Sequence, residues 1–320
     1  MSVLILTGEH DPSADAMVRA LSEREVEVHR IDTAWFPRQL GVNAGLAGAS
    51  WSGTLRTPHR TVDLSEVGAV WYRQPGAYEF PDDLSPVERH HANMEAKYGL
   101  GGVLSTLPAM WVNHPARLAD AAYKPVQLAA ARRAGLDVPE TLITNDADEV
   151  REFVAQGRTV TKMIGAGMIV EEGARKVART REVDDADVAD LRGVETTTHL
   201  FQRWVEKAYE VRLIVIGCSL TAYAIHAGSP ESYIDFRADY DSLSYELVDV
   251  PQAVSTGVDR LMGELDLVYG ALDFVVGPDG RWTFLEVNPT GQYGWLEHHV
   301  DGVSLTGKLA NLLAAGATFE

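Results

Sequence analysis

A single cysteine, Cys218, stands in a chain of 320 residues, which excludes a disulfide framework. It lies in an apolar run and reads as a small buried core residue. Long apolar runs are missing too, so no stretch would cross a bilayer as a helix. The short run at 3–6 has no basic segment before it and turns polar at Glu9. It does not read as a secretion signal, and the cytoplasm is the expected compartment. Basic residues are scarce: 28 Lys and Arg face 46 Asp and Glu, for a formal net charge of −18. That balance argues against an extended nucleic-acid surface, though not against a local basic pocket. Internal repeats and low-complexity segments are absent, and Gly8-Glu9-His10 is no G-x-G-x-x-G. What remains is an ordinary globular composition, 46% hydrophobic and 23% charged, long enough for two or three lobes with a well-buried core.

Taken in order, Ser2–Thr7 reads as a buried parallel strand. A helix over 14–25 turns Val18 and Leu21 inward, and 26–31 alternates like a second strand. Weak alternation over 50–63 predicts a hairpin. The strand 69–73 ends on Arg73, which either faces a substrate or pairs with an acid. A helical pattern covers 86–107, with His90 and His91 on its solvated side. Lys124-Pro125 starts a helix that ends at Gly135. Lys124 thus sits at the positive end of a helix dipole. Either it is solvated at a cost of roughly a few tenths of a kcal/mol, or a bound anion resolves the conflict.

Lys162 lies on a strand over 158–163, before Gly165-Ala166-Gly167. The segment 171–190 is charged and reads as a lobe surface. After the run at 199–205, Val211, Leu213 and Val215 form one strand face, while Glu210 and Arg212 point the other way. A return strand at 218–226, a long loop at 227–245 and a closing helix at 302–315 follow. Loops of that length in compact domains are usually functional or disordered. This one holds Tyr233, Asp235, Phe236 and Arg237. Arginine suits carboxylate docking, but Arg237 could equally pair with a neighbouring Asp.

The stretch 271–297 organises the rest. It reads as strands 271–276 and 281–288 around the turn Gly277-Pro278-Asp279-Gly280. With Pro278 and Asp279 at the tip, Asp273 stands opposite Phe284. Asp273 and Glu286 become diagonal neighbours, roughly 7–8 Å apart. Leu272, Phe274, Val276, Thr283, Leu285 and Val287 form the apolar face. Asp273, Glu286 and Asn288 share the other with Trp282 and Phe284. Two acids and an amide on a half-apolar face are costly unless compensated. Mg²⁺ would compensate them; a solvated face of ordinary acids is the other reading.

The pattern D-x₁₂-E-x-N, running into N-P-T-G-Q-Y-G-W-L-E, resembles the ATP-grasp superfamily. Within it the stretch resembles the ribosomal peptide maturases, or graspetide synthetases, typified by microviridin ligases. The runs W-Y-R-x-P-G and N-H-P-x₈-K-P-x-Q-L-x₆-G-L-x-V-P-x-T carry the same resemblance. It implies an α/β fold of three lobes: an N-terminal lobe over 1–112, a central lobe over 113–200 and a C-terminal lobe over 201–320. A nucleotide would lie between the last two. It implies Mg²⁺ on Asp273, Glu286 and Asn288, and ATP phosphates on Lys124 and Lys162 beneath a flexible small-residue loop. Adenine would meet Gln202, Trp204 and Val205. Arg212 would steady the γ-phosphate, and Glu210 would hold the ribose or orient Arg212. Substrate contacts would fall to Asp235, Arg237 and Arg73.

The implied activity is ATP-dependent ligation on a precursor peptide with leader and core, without nucleic acid or membrane, and a homodimer is implied as well. Side-chain carboxylates would become acyl phosphates and be captured by Thr or Ser hydroxyls, or by Lys amines, in rings. Two other readings stand beside it: a ligase adding amino acids to a protein tail or small molecule, and a non-catalytic nucleotide- or peptide-binding scaffold.

Overall fold

In the computed structural model, which describes residues 1–165, 168–171, 174–177 and 179–318, Ser2–Thr7 (β1) is buried at every position. Its continuous apolar run suits the middle of a parallel sheet, covered on both faces. Six further strands follow in the first part of the chain: β2 Val28–Ile31, β3 Gly41–Ala47, β4 Ser50–Arg56, β5 Thr61–Asp63, β6 Val67–Gln74 and β7 Met110–Val112. A four-stranded sheet has the order β2-β1-β6-β7, and each of its pairings is parallel. The hairpin expected over 50–63 is part of an antiparallel β3-β4-β5 meander. Its first strand, GVNAGLA, has too little apolar alternation to show in the sequence.

The helix Pro12–Ser22 starts on Asp11, whose carboxylate accepts hydrogen bonds from the Ser13 and Ala14 amides. The helix Pro86–Ser105 starts on a reciprocal Ser85–Glu88 capping box.

The chain divides into two compact units. One unit holds Met1–Leu118, Leu267–Tyr269 and Gln292–Glu320; the other holds Ala119–Asp266 and Gly270–Gly291. The stretch after the hairpin, Gln292–Glu320, groups with the first unit. The reason is packing: the last helix, Leu305–Gly316, lies against helix Pro12–Ser22 and β6. A Cβ on Gly68 would fall 2.8 Å from the Ala317 Cα, so glycine there permits the approach.

The second unit contains the two sheets that matter for the site. Its strands begin with β8 Thr141–Thr144, β9 Thr159–Lys162, the antiparallel pair β10 Met168–Glu171 and β11 Ala174–Val177, β12 Arg181–Glu182 and β13 His199–Arg203. They continue with β14 Tyr209–Ile216, β15 Ser219–His226, β16 Ser244–Val248, β17 Tyr269–Val276 and β18 Trp282–Asn288. One sheet runs β12-β9-β13-β8 and the other β16-β15-β14-β17-β18. β17 is buried along its whole length.

Two expectations are corrected here. Cys218 is exposed: Ile216 pairs with Ser219, so Gly217-Cys218 is a tight turn that interrupts the apolar run. The loop expected at 227–245 is built, with a helix at Pro230–Ile234, 3-10 turns at Phe236–Ala238 and Tyr240–Ser242, and the start of edge strand β16. Each piece is too short for periodicity to reveal. Of Gly165-Ala166-Gly167, the last two lie outside the described residues. Among the described residues no helix is long and apolar enough to cross a membrane.

Candidate active site

β18 is an edge strand, so its outward backbone groups need partners. Gln127 supplies two of them: its Nε2 donates to the Val287 carbonyl at 2.9 Å, and its Oε1 accepts from the Val287 amide at 2.9 Å. The Phe284 amide donates to the Asp137 carbonyl at 2.7 Å. Gln127 belongs to the helix Lys124–Ala134, which ends on Gly135 in the left-handed region (φ 90°). The clamp thus fixes the start of this helix beside β18, and Lys124 pairs there with Glu286. The anion that resolves the dipole conflict of Lys124 is a carboxylate of the protein itself.

The hairpin carries a bulge that the sequence reading lacked. Phe274 pairs with Phe284, but Asp273 pairs with Glu286, and the register shifts between them. Leu285 is the extra residue on β18. Asp273 and Glu286 are therefore direct cross-strand partners, not diagonal ones. Phe284 moves to the apolar face, where its ring meets that of Phe274 edge-on at 5.6 Å. Leu285 turns instead to the cleft, beside Asp273, Val275 and Glu286.

The charges around this pair are closely matched. Arg212, on β14, places Nε 3.1 Å from Asp273 Oδ1. Lys162, at the end of β9, places Nζ 3.9 Å from Glu286 Oε2. Burial raises the Asp273 carboxyl above its usual range and the Glu286 charge adds to this, against the pull of Arg212. Burial would raise Glu286 as well, but Lys162 and Lys124 overrule it and hold the carboxyl down to about 2. Lys162 itself is pushed below the usual lysine range by burial, with Glu286 opposing.

One cleft gathers most of the expected residues. Lys162, Gln202, Trp204, Val205, Glu210, Asp235, Arg237, Asp273 and Glu286 line it. Lys124 and Arg212 reach it through their acidic partners. Free space in the cleft is about 70 Å³, well below the roughly 300–1,000 Å³ of a ligand pocket. Gln202 donates to Thr141 Oγ1 at 3.0 Å. Trp204 and Val205 follow the end of β13, and the Trp204 amide donates to the Arg158 carbonyl at 2.9 Å. Arg237 grips Asp235 through Nε and Nη2, at 2.8 and 3.1 Å. Asp235 also accepts from the Thr180 amide at 3.1 Å.

Two further expected residues, Asn288 and Arg73, are not part of the lining. Asn288, on the same strand face as Glu286, is exposed, and its Oδ1 accepts from the Thr290 amide at 3.1 Å. Arg73 belongs to the first unit, is only 2% exposed and lies 3.6 Å from Asp11, which matches the ion-pair reading of that residue. The sequence reading gave no role to Lys207 or Gln127. Lys207 is 7% exposed and pairs with Glu210 at 2.6 Å in the cleft wall; burial nevertheless pushes the Glu210 carboxyl up. The signal for Lys207 was slight, a lysine three residues before an acid at a strand start. For Gln127 it was a polar residue on the buried side of a helix.

Among the described residues no three His, Cys, Asp or Glu side chains converge on a metal site. Two carboxylates plus an amide suit instead a hard cation that keeps waters and shares phosphate oxygens. The facing carboxylates of Asp273 and Glu286 supply the oxygen ligands that such a cation takes. The residues present fit Mg²⁺.

Residues 2–119 match the family model described as the MvdD pre-ATP grasp domain. No curated protein matches the chain. Among solved structures, the chain is similar to the macrocyclase MdnC from Microcystis aeruginosa MRC, bound with precursor peptide MdnA. The identity is 28% with a TM-score of 0.86, covering 98% of this chain and 100% of that one. A Chryseobacterium gregarium RiPP-associated ATP-grasp ligase, in complex with ADP and a leader and core peptide, is 25% identical with a TM-score of 0.90, covering 98% and 97%. The ATP-grasp ligase PsnB, complexed with minimal precursor, Mg and ADP, is 26% identical with a TM-score of 0.77, covering 99% and 97%. With the pre-ATP-grasp domain at its head and the likeness along nearly its whole length, the chain has the fold of these ATP-grasp ligases and resembles the ATP-grasp peptide maturases, the graspetide synthetases.

Proposed function

We propose that this protein is an ATP-dependent macrocyclising ligase acting on a ribosomally made precursor peptide with leader and core. The observation that carries the reading is the cleft of the second unit: two facing carboxylates, Asp273 and Glu286, ringed by Lys124, Lys162, Arg212 and Arg237. Asp273, Glu286 and Asn288 would hold Mg²⁺, which when bound neutralises phosphate charge. A triphosphate competes with Glu286 for Lys124 and Lys162, so nucleotide binding and the opening of these ion pairs are one event. Gln202, Trp204 and Val205 hold the base, and Arg212 steadies the γ-phosphate.

A carboxylate of the peptide attacks the γ-phosphorus, forming an acyl phosphate and releasing ADP. A Thr or Ser hydroxyl, or a Lys amine, of the same peptide then attacks the acyl carbon. Phosphate leaves with the electron pair of the broken bond, and the nucleophile gives up its proton. The chain contributes positioning and charge stabilisation and needs no nucleophile of its own. Arg237, anchored by Asp235, docks the peptide carboxylate. The central lobe over 113–200 and the C-terminal lobe over 201–320 serve as the two ATP-grasp lobes. ATP use fits the cytoplasm.

Mass spectrometry of an acidic, Thr-rich peptide from a neighbouring reading frame, incubated with enzyme, ATP and Mg²⁺, tests the proposal. Loss of one water per ring is expected. An unchanged peptide, or a mass gain in the presence of free amino acids, would overturn macrocyclisation.

A further inference from the structure

The first unit has a concavity of its own. A groove of about 540 Å³ opens between helix Pro12–Ser22, β2 and the turn that joins β4 to β5. Arg19, Arg30 and Arg60 line it, against one carboxylate, Asp15. Three guanidinium groups to one acid is the reverse of the whole chain, where 28 basic residues face 46 acidic ones. Arg30 is committed to the fold: it pairs with Asp15 and donates to the Gly8 and Glu9 carbonyls at 2.8 and 2.7 Å. The surplus charge therefore rests on Arg19 and Arg60, both exposed.

Arg60 is held in place from its backbone. Thr57 N donates to the Arg60 carbonyl at 2.8 Å, and Arg60 N donates to Thr57 Oγ1 at 3.1 Å. The side chain reaches across to β2, where Nη1 donates to the Val28 carbonyl at 3.3 Å. β2 is the edge of its sheet, so an extended chain can lie along it. Trp35, Val18 and Pro58 give the groove an apolar wall beside these cations.

We propose that this groove docks an acidic segment of the peptide substrate, in which an apolar residue sits among carboxylates, and holds it without reacting with it. This rests on the function proposed above, in which the peptide presents Asp or Glu side chains as reactants. Arginine forks bind carboxylates bidentately, and Trp35 accepts the apolar residue. A free phosphate would use the cations but not the wall.

The test is fluorescence anisotropy of a fluorescein-labelled peptide of alternating Glu and Phe residues, titrated with the whole chain without nucleotide. Expected are salt-sensitive binding and a loss of affinity of about tenfold or more in the double variant Arg19→Glu/Arg60→Glu. The neutral double variant Arg19→Gln/Arg60→Gln should lose part of that affinity, and it carries the test if charge reversal lowers the melting temperature. Equal affinity in wild type and variants, no binding to wild type, or full displacement by millimolar inorganic phosphate would each overturn the proposal. The probe needs no turnover, so its outcome is separate from that of the cyclisation assay. A wild type that cyclises a peptide while the variants bind the probe normally refutes the groove alone. Probe binding through the arginines, by an enzyme that closes no ring, refutes the ligase reading alone.

Discussion

Glu286 faces Asp273 directly across β17 and β18, yet their carboxyls shift in opposite directions. Two lysines hold Glu286 down to about 2. Burial, with the Glu286 carboxylate adding to it, pushes Asp273 up against the pull of Arg212, Arg237 and Lys162. The pair therefore presents one firmly ionised ligand and one held above its usual range. Asp273→Asn and Glu286→Gln should each lower turnover about 10²-fold or more, on the scale of a lost electrostatic contact at a reacting centre, with circular dichroism unchanged. Wild-type turnover in either variant at limiting Mg²⁺ refutes the metal assignment.

Lys162 and Lys124 share the Glu286 carboxylate, and both are assigned to phosphate. Lys162→Ala should weaken a non-hydrolysable ATP analogue by about tenfold or more, since hydrogen bonds to charged groups are worth about 1.5–3 kcal/mol. Lys124→Ala should weaken it in the same direction. Calorimetric titration decides; unchanged affinity in both variants removes the phosphate role.

The Glu286 shift also fixes the sign of a pH effect. Its carboxyl titrates at about 2 in the folded chain against an ordinary 4.5. A depressed folded pKa adds stability above the unfolded value and loses it as pH falls toward the folded one. The ligand-free wild type should thus melt higher than Glu286→Gln at pH 5 and above. That gap should narrow as the pH drops from about 4.5 toward 2. A gap that stays constant with pH over the range where both remain folded shows that Glu286 stabilises by other means.

Arg237 and Asp235 form a buried-to-surface pair, with side chains 42% and 3% exposed. Arg237→Ala should abolish cyclisation while leaving affinity for an ATP analogue near wild type. It should also cost about 1–3 kcal/mol of stability, because Asp235 loses a buried partner. Arg237→Lys should not restore activity, lacking the planar fork. Normal cyclisation in Arg237→Ala, or nucleotide binding that collapses with it, counts against carboxylate docking.

Arg158 braces the segment that follows β13. Its guanidinium lies 4.2 Å from the centre of the Trp204 ring, grips Glu182 at 2.8 and 2.9 Å and reaches Glu206 at 3.3 Å. Lysine cannot hold two carboxylates and stack at once. Arg158→Lys should raise KM for ATP several-fold with a smaller change in kcat, as expected of a positioning residue. Steady-state kinetics showing the loss in kcat alone would assign Arg158 elsewhere.

The sequence by itself determined the local elements and the residue types at the site. Ser2–Thr7, the Lys124-Pro125 helix start and the cap at Gly135 are short-range decisions, made by apolar runs, proline and glycine. D-x₁₂-E-x-N placed two acids on one hairpin face for the same reason: strand alternation is local. Tertiary structure decided what those residues meet. The bulge at Leu285 set Asp273 opposite Glu286, because the pairing of two strands depends on both at once. Gln127 became the clamp for β18 only because that strand is an edge. Arg73 was committed to Asp11, and the final helix to the first unit, by packing between residues far apart in the chain. Ion-pair choice and burial are long-range properties, and a one-dimensional pattern does not contain them.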